Sequence, residues 1–205
     1  MNTKLPGELP LFPLSTVLYP DGLLPLRIFE ARYLDMVSAS LREATPFGIV
    51  PILSGSEVGG QAEFHPYGTL ATIAAWDQGR DGLLHIQVAG GATFQVHAHH
   101  SAPNGLLRAT ISVAPQVQDE PVPRQFAYLA KLLEEVFEQN REQVPYETWQ
   151  LDSALWVARR LAEVLPMARA DKIALLEAAS GHAMLSAIDA FLATIKEPPA
   201  PSSHH

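Results

Sequence analysis

The pattern of apolar and polar positions changes near residue 120 and divides the chain into two parts. Before this point, short apolar runs are separated by glycine and proline, which is typical of strands joined by turns. After it, apolar residues recur at three- and four-residue intervals, which indicates amphipathic helices. The junction, APQVQDEPVPRQ at 114–125, is rich in proline and acids and is predicted to be a linker. We therefore predict a β-rich domain at 1–118, a helical subdomain at 119–197 and a disordered tail at 198–205.

Short strands are the predicted elements of the first part. The clearest pair is a hairpin in GTLATIAAWDQGRDGLLHIQVAG, where alternating apolar residues flank a turn at 77–82 that contains glycines. A second turn is predicted at Gly90-Gly91. One helix, over 30–44, interrupts the strands and places Leu34, Val37 and Leu41 on one apolar face. The predicted strands lie near 9–13, 23–29, 47–52, 66–77, 81–89, 92–99 and 106–114.

Helices account for the second part, and they are predicted at about 124–139, 148–165, 168–179 and 182–196. Pro166 ends the second of them, and Pro198 follows the last. Helices joined by loops this short predict a compact helical bundle. The fold class that follows from both parts together is α+β.

Composition narrows the set of partners. The formal net charge is −8 and no basic cluster occurs beyond Arg159-Arg160, so we predict neither nucleic acid nor an acidic membrane surface as a partner. No apolar run approaches the roughly 20 residues that cross a bilayer, and the N-terminus lacks the design of a signal peptide. The chain contains no cysteine, which excludes thiolate nucleophiles and disulfides. These features together predict a cytoplasmic protein.

The sequence lacks the common enzyme motifs. It contains neither a P-loop nor a G-x-S-x-G nucleophile elbow, and we predict no cofactor and no catalytic residues. His97 and His99 share one face of a strand and could supply two metal ligands, but a metal site needs further ligands with an oriented second shell. We favour a polar strand end at these histidines and predict no metal. A metal-dependent hydrolase that uses them with a nearby acid remains an alternative.

The N-terminal apolar and aromatic residues allow two interpretations. They can form the core, or a few of them can line an exposed patch for a partner. Leu18-Tyr19-Pro20 and Leu24-Pro25 look most like loop or edge positions, because proline cannot donate a hydrogen bond to a strand ladder.

These same residues carry a resemblance to a known family. The run LPLFPL at 9–14, Tyr19-Pro20, and LPLRIFEARY at 24–33 resemble the N-terminal substrate-recognition domain of Lon proteases. Later segments follow in the same order: FGIV at 47–50, YGTLATIAAW at 67–76, DGLLHIQVAGGATFQV at 81–96 and DKIALLEAASGHAMLSAIDAFL at 171–192. The resemblance covers about residues 8 to 195. It departs from the family at Thr93, where the family usually has an arginine before the phenylalanine.

The resemblance implies both a fold and a function. The fold would be a small twisted antiparallel β-barrel of the PUA-like group with one inserted helix, followed by helices. The chain ends where a full Lon protease would continue into its ATPase and Ser-Lys protease domains, so the resemblance implies a stand-alone, non-catalytic recognition module.

Its expected partners are unfolded or extended polypeptides, or a partner protein, and its expected role is that of an adaptor or regulator in protein quality control. The residues expected to bind peptide are Tyr19, Leu24, Pro25, Phe29, Arg32 and Tyr33. The alternative function is that of a small-molecule or effector sensor, which a pocket with convergent polar groups would favour.

Overall fold

The computed structural model describes residues 7–57 and 62–196, and the chain forms two compact units. The first comprises the residues up to Gln116 together with Lys172–Glu177, and the second comprises Val117–Asp171 and the residues from Ala178 onward. The sequence-based division at 118 did not anticipate that Lys172–Glu177 groups with the strands. The predicted tail at 198–205 lies outside the described residues.

Among the described residues, the first unit contains seven strands, one helix of 13 residues and, through Lys172–Glu177, the greater part of a later helix. The helix, α1, spans Ala31–Glu43 and lies between the second and third strands in the sequence. The strands are β1 (Leu9–Leu14), β2 (Leu23–Ile28), β3 (Phe47–Ser54), β4 (Glu63–Phe64), β5 (Tyr67–Gln78), β6 (Leu84–Ser101) and β7 (Leu107–Val113).

Five of these strands form a closed ring in the order β1-β7-β6-β5-β3, and β3 returns to β1. The pairing of β1 with β3 is parallel, with Leu11 opposite Gly48 and Phe12 opposite Ile49, whereas the other pairings are antiparallel. β2 adds to β6 and β4 adds to β3 outside the ring. The α+β fold with a ring-like, mostly antiparallel sheet is therefore confirmed. The parallel pair of β1 and β3 was not predicted.

The proline-punctuated apolar run of β1 is buried on both faces of the strand. Along β1, Leu9 and Leu11 point to one face while Phe12 and Leu14 point to the other, and all four are buried. Leu9 and Leu11 join a cluster that draws on all five ring strands and also contains Val50, Leu70, Phe94 and Ala109. Phe12 and Leu14 belong to a second cluster, in which α1 packs. A strand buried on both faces has no polar alternation, which explains the continuous apolar sequence.

Helix α1 buries a different stripe from the predicted one. Val37 is fully buried as expected, but Leu34 and Leu41 are 38% and 41% exposed. The buried stripe instead contains Tyr33, Met36, Val37 and Ser40. The helix ends at Ala44, which adopts the left-handed conformation (φ 51°) and donates its backbone N–H to the carbonyl of Ser40.

The predicted turn at Gly90-Gly91 is wrong, because β6 runs through both glycines without interruption. Gly90 is needed for a close approach instead: the chain between β1 and β2 crosses here, and a Cβ on Gly90 would lie 2.1 Å from the carbonyl oxygen of Tyr19. The crossing is fixed by two hydrogen bonds of 2.8 Å, from the Asp21 N–H to the Gly90 carbonyl and from the Gly90 N–H to the Gly22 carbonyl. The predicted hairpin turn before β6 is present, with Gly82 at φ +77°.

Four α-helices follow a short 3-10 turn at Arg124–Phe126: α2 (Ala127–Gln139), α3 (Ala154–Val164), α4 (Arg169–Leu176) and α5 (Gly181–Lys196). Helix α3 packs against both α2 and α5. It begins later than the predicted residue 148, because Ser153 has an extended backbone and its hydroxyl accepts a hydrogen bond from the N–H of Trp156 (2.9 Å), as an N-cap does. No helix within the described ranges has the length and apolar content to cross a membrane.

An aromatic cluster surrounds a buried arginine in the second unit. The Arg160 guanidinium lies 4.9 Å from the centre of the Tyr146 ring and 5.9 Å from that of Trp156, and its Nη2 is 2.7 Å from a Glu163 carboxylate oxygen. The Tyr146 hydroxyl donates to the same carboxylate (2.9 Å). Phe137 stacks on Tyr146. The charge of Arg160 is therefore compensated by a carboxylate and by two ring faces.

We predict opposite outcomes for two neighbouring glycine substitutions in β6. Gly90→Ala places a methyl group against the Tyr19 carbonyl and should lower the free energy of unfolding by about 1–3 kcal/mol. Gly91→Ala is the matched control, because the nearest atom to its Cβ is the Leu70 carbonyl oxygen at an ordinary 3.4 Å. Urea unfolding of both variants measures the difference. Equal losses would contradict the close approach at Gly90.

Candidate functional site

A cleft of about 580 Å³ opens in the first unit beside the first turn of α1. Its walls come from β1, α1, β4, the segment after β3, the end of β6 and the start of β7. The lining residues combine charged, hydroxyl, imidazole and aromatic groups: Pro13, Arg32, Tyr33, Ser56, Glu57, Ala62, Phe64, His99, His100, Ser101, Gly105 and Leu107. A concave site of this size and mixed chemistry is the first candidate for ligand binding in this unit.

Arg32 is held rigidly at the wall of the cleft. Its Nη2 lies 2.7 Å from a carboxylate oxygen of Glu30, and its Nη1 donates to the carbonyl of Gly105 (3.2 Å). The guanidinium also lies 4.8 Å from the centre of the Tyr33 ring. Four-fifths of the side chain is buried, and its Nε atom has no hydrogen-bond partner in the described structure. The charge of Arg32 is therefore fixed in position and largely neutralised by Glu30.

Tyr33 connects the cleft to the core. Its ring stacks on Phe12 with the centroids 4.0 Å apart, and only 6% of the residue is exposed. Burial raises the pKa of the Tyr33 phenol, the Arg32 guanidinium partly opposes this, and the carboxylates of Glu30 and Glu57 add to the increase. The phenol is therefore neutral at physiological pH, and it offers a hydrogen-bonding group rather than a base.

Acidic and imidazole groups form the rest of the polar lining. The Glu57 carboxylate accepts a hydrogen bond from the backbone N–H of Ser15. The His99 ring packs edge-on against Phe64 with the centroids 4.8 Å apart, and His100 Nδ1 lies 3.6 Å from a Glu8 carboxylate oxygen. The cleft therefore offers imidazole nitrogens and one carboxylate around a wall fixed by Arg32.

The histidine cluster is not arranged as the sequence suggested. The register of β6 against β7 shifts between Val96 and Ala98, so the strand bulges at His97 and the simple alternation of faces is lost. His97 Nε2 lies 2.8 Å from the Ser112 hydroxyl and does not line the cleft, whereas His99 does. Within residues 7–57 and 62–196, no group of three His, Asp or Glu residues is placed to hold a metal ion.

The structure separates the six predicted peptide-binding residues. Arg32 and Tyr33 line the cleft together. Tyr19 is fully buried and its hydroxyl donates to the carbonyl of Lys172 (2.7 Å), so its side chain serves the core of the first unit. The other three lie on β2 and just after it: Leu24 is half-buried against the core, while Pro25 and Phe29 are exposed. Peptide binding by these residues stays a prediction.

Sequence reasoning did not identify most of the cleft. Glu57, Phe64, Ser101 and Gly105 lie in a loop, a two-residue strand, a strand end and a turn, where no apolar period marks them. The one available signal was the histidine cluster, since His99 and His100 do line the cleft. The sequence interpretation favoured a polar strand end there, with metal ligands as the alternative, and did not predict a cleft.

Comparisons with known proteins bear on what this chain does. Residues 8–193 match the family described as the ATP-dependent protease La (LON) substrate-binding domain. The chain is similar to the Lon N-terminal domain protein from Xanthomonas campestris, at 33% identity and a TM-score of 0.74, over 89% of this chain and 97% of that one. It shares its fold with the N-terminal domain of Lon protease from the Mycobacterium avium complex, at 21% identity and a TM-score of 0.57, over 89% and 96% of the two chains. No curated protein matches the chain.

We predict that Tyr19 and Phe29 differ in what they contribute to stability. Tyr19→Ala removes a fully buried ring and should lower the free energy of unfolding by about 3–5 kcal/mol, whereas Phe29→Ala should change it by less than about 1 kcal/mol, since Phe29 is 54% exposed. Tyr19→Phe deletes only the hydroxyl that bonds to Lys172 and should cost about 1 kcal/mol. Urea unfolding tests all three variants. A stable Tyr19→Ala variant would show that this ring is not a core residue.

Proposed function

The chain belongs to the family of ATP-dependent protease La (LON) substrate-binding domains, and from this premise we propose that it binds exposed apolar or extended polypeptide segments. The matched domain is a substrate-binding module and is not catalytic. We propose further that the protein acts as an adaptor or regulator in protein quality control and not as an enzyme. The net charge of −8 supports a polypeptide rather than a nucleic acid as the partner.

The observation that carries the proposal is the cleft beside α1. Arg32 and Tyr33, which end the RIFEARY segment, form part of its wall, so the segment with the strongest family resemblance also shapes this cleft. A polypeptide segment with a side chain in the cleft meets Arg32 and Tyr33 at its wall, and the exposed Phe29 lies three residues before Arg32 in the sequence. Phe29 is 54% exposed, and an aromatic side chain this accessible contributes apolar contact area at little entropic cost.

The experiment is a binding titration with fluorescently labelled reduced casein fragments. Ser101→Trp should fill the cleft and weaken binding at least about tenfold, which corresponds to about 1.4 kcal/mol. Thr110→Trp is the matched control, because Thr110 is exposed on the neighbouring strand β7 and does not line the cleft. The control should bind like the original protein.

Two results would count against this function. If the unmodified protein does not retain casein, polypeptide recognition is wrong. If Ser101→Trp and Thr110→Trp bind casein equally well, the cleft is not the binding site. Unfolding midpoints of both variants should match that of the original protein, which shows that the fold is kept.

A small-molecule sensor is the second candidate, and the size of the cleft favours it. A volume of about 580 Å³ lies within the range of about 300–1,000 Å³ that is usual for ligand pockets, and Arg32, His99 and Ser101 supply polar groups. A thermal-shift screen of metabolites distinguishes the two functions. A compound that raises the unfolding midpoint of the original protein but not of Ser101→Trp, and that casein does not displace, would support the sensor.

A further inference from the structure

The second half of β5 has a free edge. β3 pairs only with Thr69, Ala71 and the residue between them, whereas the ladder with β6 continues along β5 to Gln78. Beyond Ala71, the opposite edge of β5 has no strand partner among the described residues. Thr72 is exposed, and so is every residue from Ala74 to Gln78.

Pro25 shows which backbone groups of this edge point outward. In an antiparallel pair, a residue directs both its N–H and its C=O to the same neighbour, and successive residues alternate. Pro25 has no N–H, so its pair with Gln87 is not hydrogen-bonded, and the backbone groups of Gln87 point away from β2 toward β5. Gln87 is opposite Ala75, so Ala75 bonds to β6.

The hairpin turn gives the same alternation independently. The Gly79 N–H donates to the Leu83 carbonyl (2.9 Å), which places Gly79, like Asp77 and Ala75, in the set that bonds across the hairpin. Trp76 and Gln78 therefore direct their N–H and C=O groups outward. These two residues offer two donors and two acceptors in a row along the free edge.

The other edges of the unit are less open. The edge of β2 is interrupted by Pro25, and β4 has only two residues, one of them the charged Glu63. On β5, the register shift between Ile73 and Ala75 is a bulge. The regular pairing with β6 that leads to the hairpin turn therefore begins at Ala75. The remaining edge, Ala75–Gln78, contains no proline and no basic residue.

The side chains of this edge indicate the chemistry of the segment that would fit it. Trp76 lies opposite Ile86 on the apolar face of the sheet and is 62% exposed, the highest value among the large apolar residues that are exposed. Asp77 points to the other face, is exposed, and has no ion-pair partner within the described residues. The edge therefore fits an extended segment with an apolar residue beside Trp76 and a basic residue beside Asp77. A second copy of this chain would bring another net charge of −8 and another Asp77.

We propose that Ala75–Gln78 binds an extended polypeptide segment of alternating apolar and basic residues as an additional β-strand. This inference rests on the proposed function and adds a second polypeptide-binding element, since Trp76 pairs with Ile86 near the start of β6 whereas the cleft residues His99 and Ser101 lie at its end. The outward groups of Trp76 and Gln78 bond to the backbone of the segment, the Trp76 ring covers its apolar residue, and Asp77 pairs with its basic residue. Backbone recognition of this kind tolerates many sequences.

The test uses the full chain and a short acetylated peptide that alternates lysine and valine. Gln78→Pro removes one outward N–H and leaves the bonds to β6 intact, so it should weaken peptide binding about tenfold, as expected for one lost hydrogen bond with its local strain. Gln78→Ala is the matched control, since it removes the side chain but keeps the N–H, and it should bind within about twofold of the original. A peptide N-methylated at alternate residues has lost backbone donors. It should bind the original protein and Gln78→Ala at least about tenfold more weakly than the unmodified peptide does.

The outcomes separate this inference from the proposed function. Equal peptide affinities of Gln78→Pro and Gln78→Ala, with matched unfolding midpoints, would overturn the edge as the binding site. So would a dimer in analytical ultracentrifugation that Gln78→Pro abolishes, since the edge would then bind a second copy. If the original protein binds casein but not the peptide, the edge proposal fails and the proposed function stands. If it binds neither, the proposed function fails as well.

Discussion

The parallel pairing of β1 with β3 closes the ring of strands, and the position of α1 and of the cleft depends on it. With β7 on its other side, β1 has no free edge, and its side chains are buried on both faces. Gly48 makes the pairing possible: a Cβ at this residue would lie 2.6 Å from the Phe94 ring and 2.8 Å from a Leu11 methyl group. Phe94 therefore fills the space that Gly48 leaves, and it belongs to the cluster shared by all five ring strands.

Phe12 links strand β1 to the wall of the cleft. Its ring stacks on Tyr33, the third residue of α1, and thereby fixes the first turn of the helix against the sheet. Arg32, the preceding residue, is directed to the Gly105 carbonyl in the turn between β6 and β7. Two contacts therefore fix the cleft wall to the ring of strands: the stack of Phe12 on Tyr33 and the hydrogen bond from the Arg32 guanidinium to Gly105. Arg32 is a structural bridge as well as a candidate contact for a ligand.

The sequence predicted the type of nearly every element, because local signals were sufficient for that. Alternation in the β5–β6 hairpin and the apolar period of α2 do not depend on what packs against them. The errors arose where tertiary contacts decide. Gly90 has the composition of a turn, but the chain crossing at Tyr19 requires it within a strand. The parallel β1–β3 pair joins segments more than 30 residues apart in the sequence, and β4 is too short, at two residues, to show a period.

The candidate site was harder to predict than the fold for a related reason. A proline-rich apolar run has the same composition whether its side chains fill a core or face a partner, so Tyr19 and Phe29 could not be distinguished. The structure buries the first completely and leaves the second 54% exposed. The cleft residues Ser101 and Gly105 are brought to α1 only by the pairing of β6 with β7. Their proximity is a property of the ring and not of any local segment.

The free strand edges of a sheet are subject to two opposing requirements in a domain that binds polypeptides. An open strand edge binds extended chains, but it also promotes aggregation, so most edges must be protected. In the first unit, Pro25 interrupts the edge of β2, and the same missing N–H fixes which backbone groups of β6 are left for β5. The bulge at Ile73–Ala75 then restricts the open part of β5 to a few residues next to a tight turn. An edge this short is too small to hold a second sheet, yet long enough for several hydrogen bonds to one extended segment.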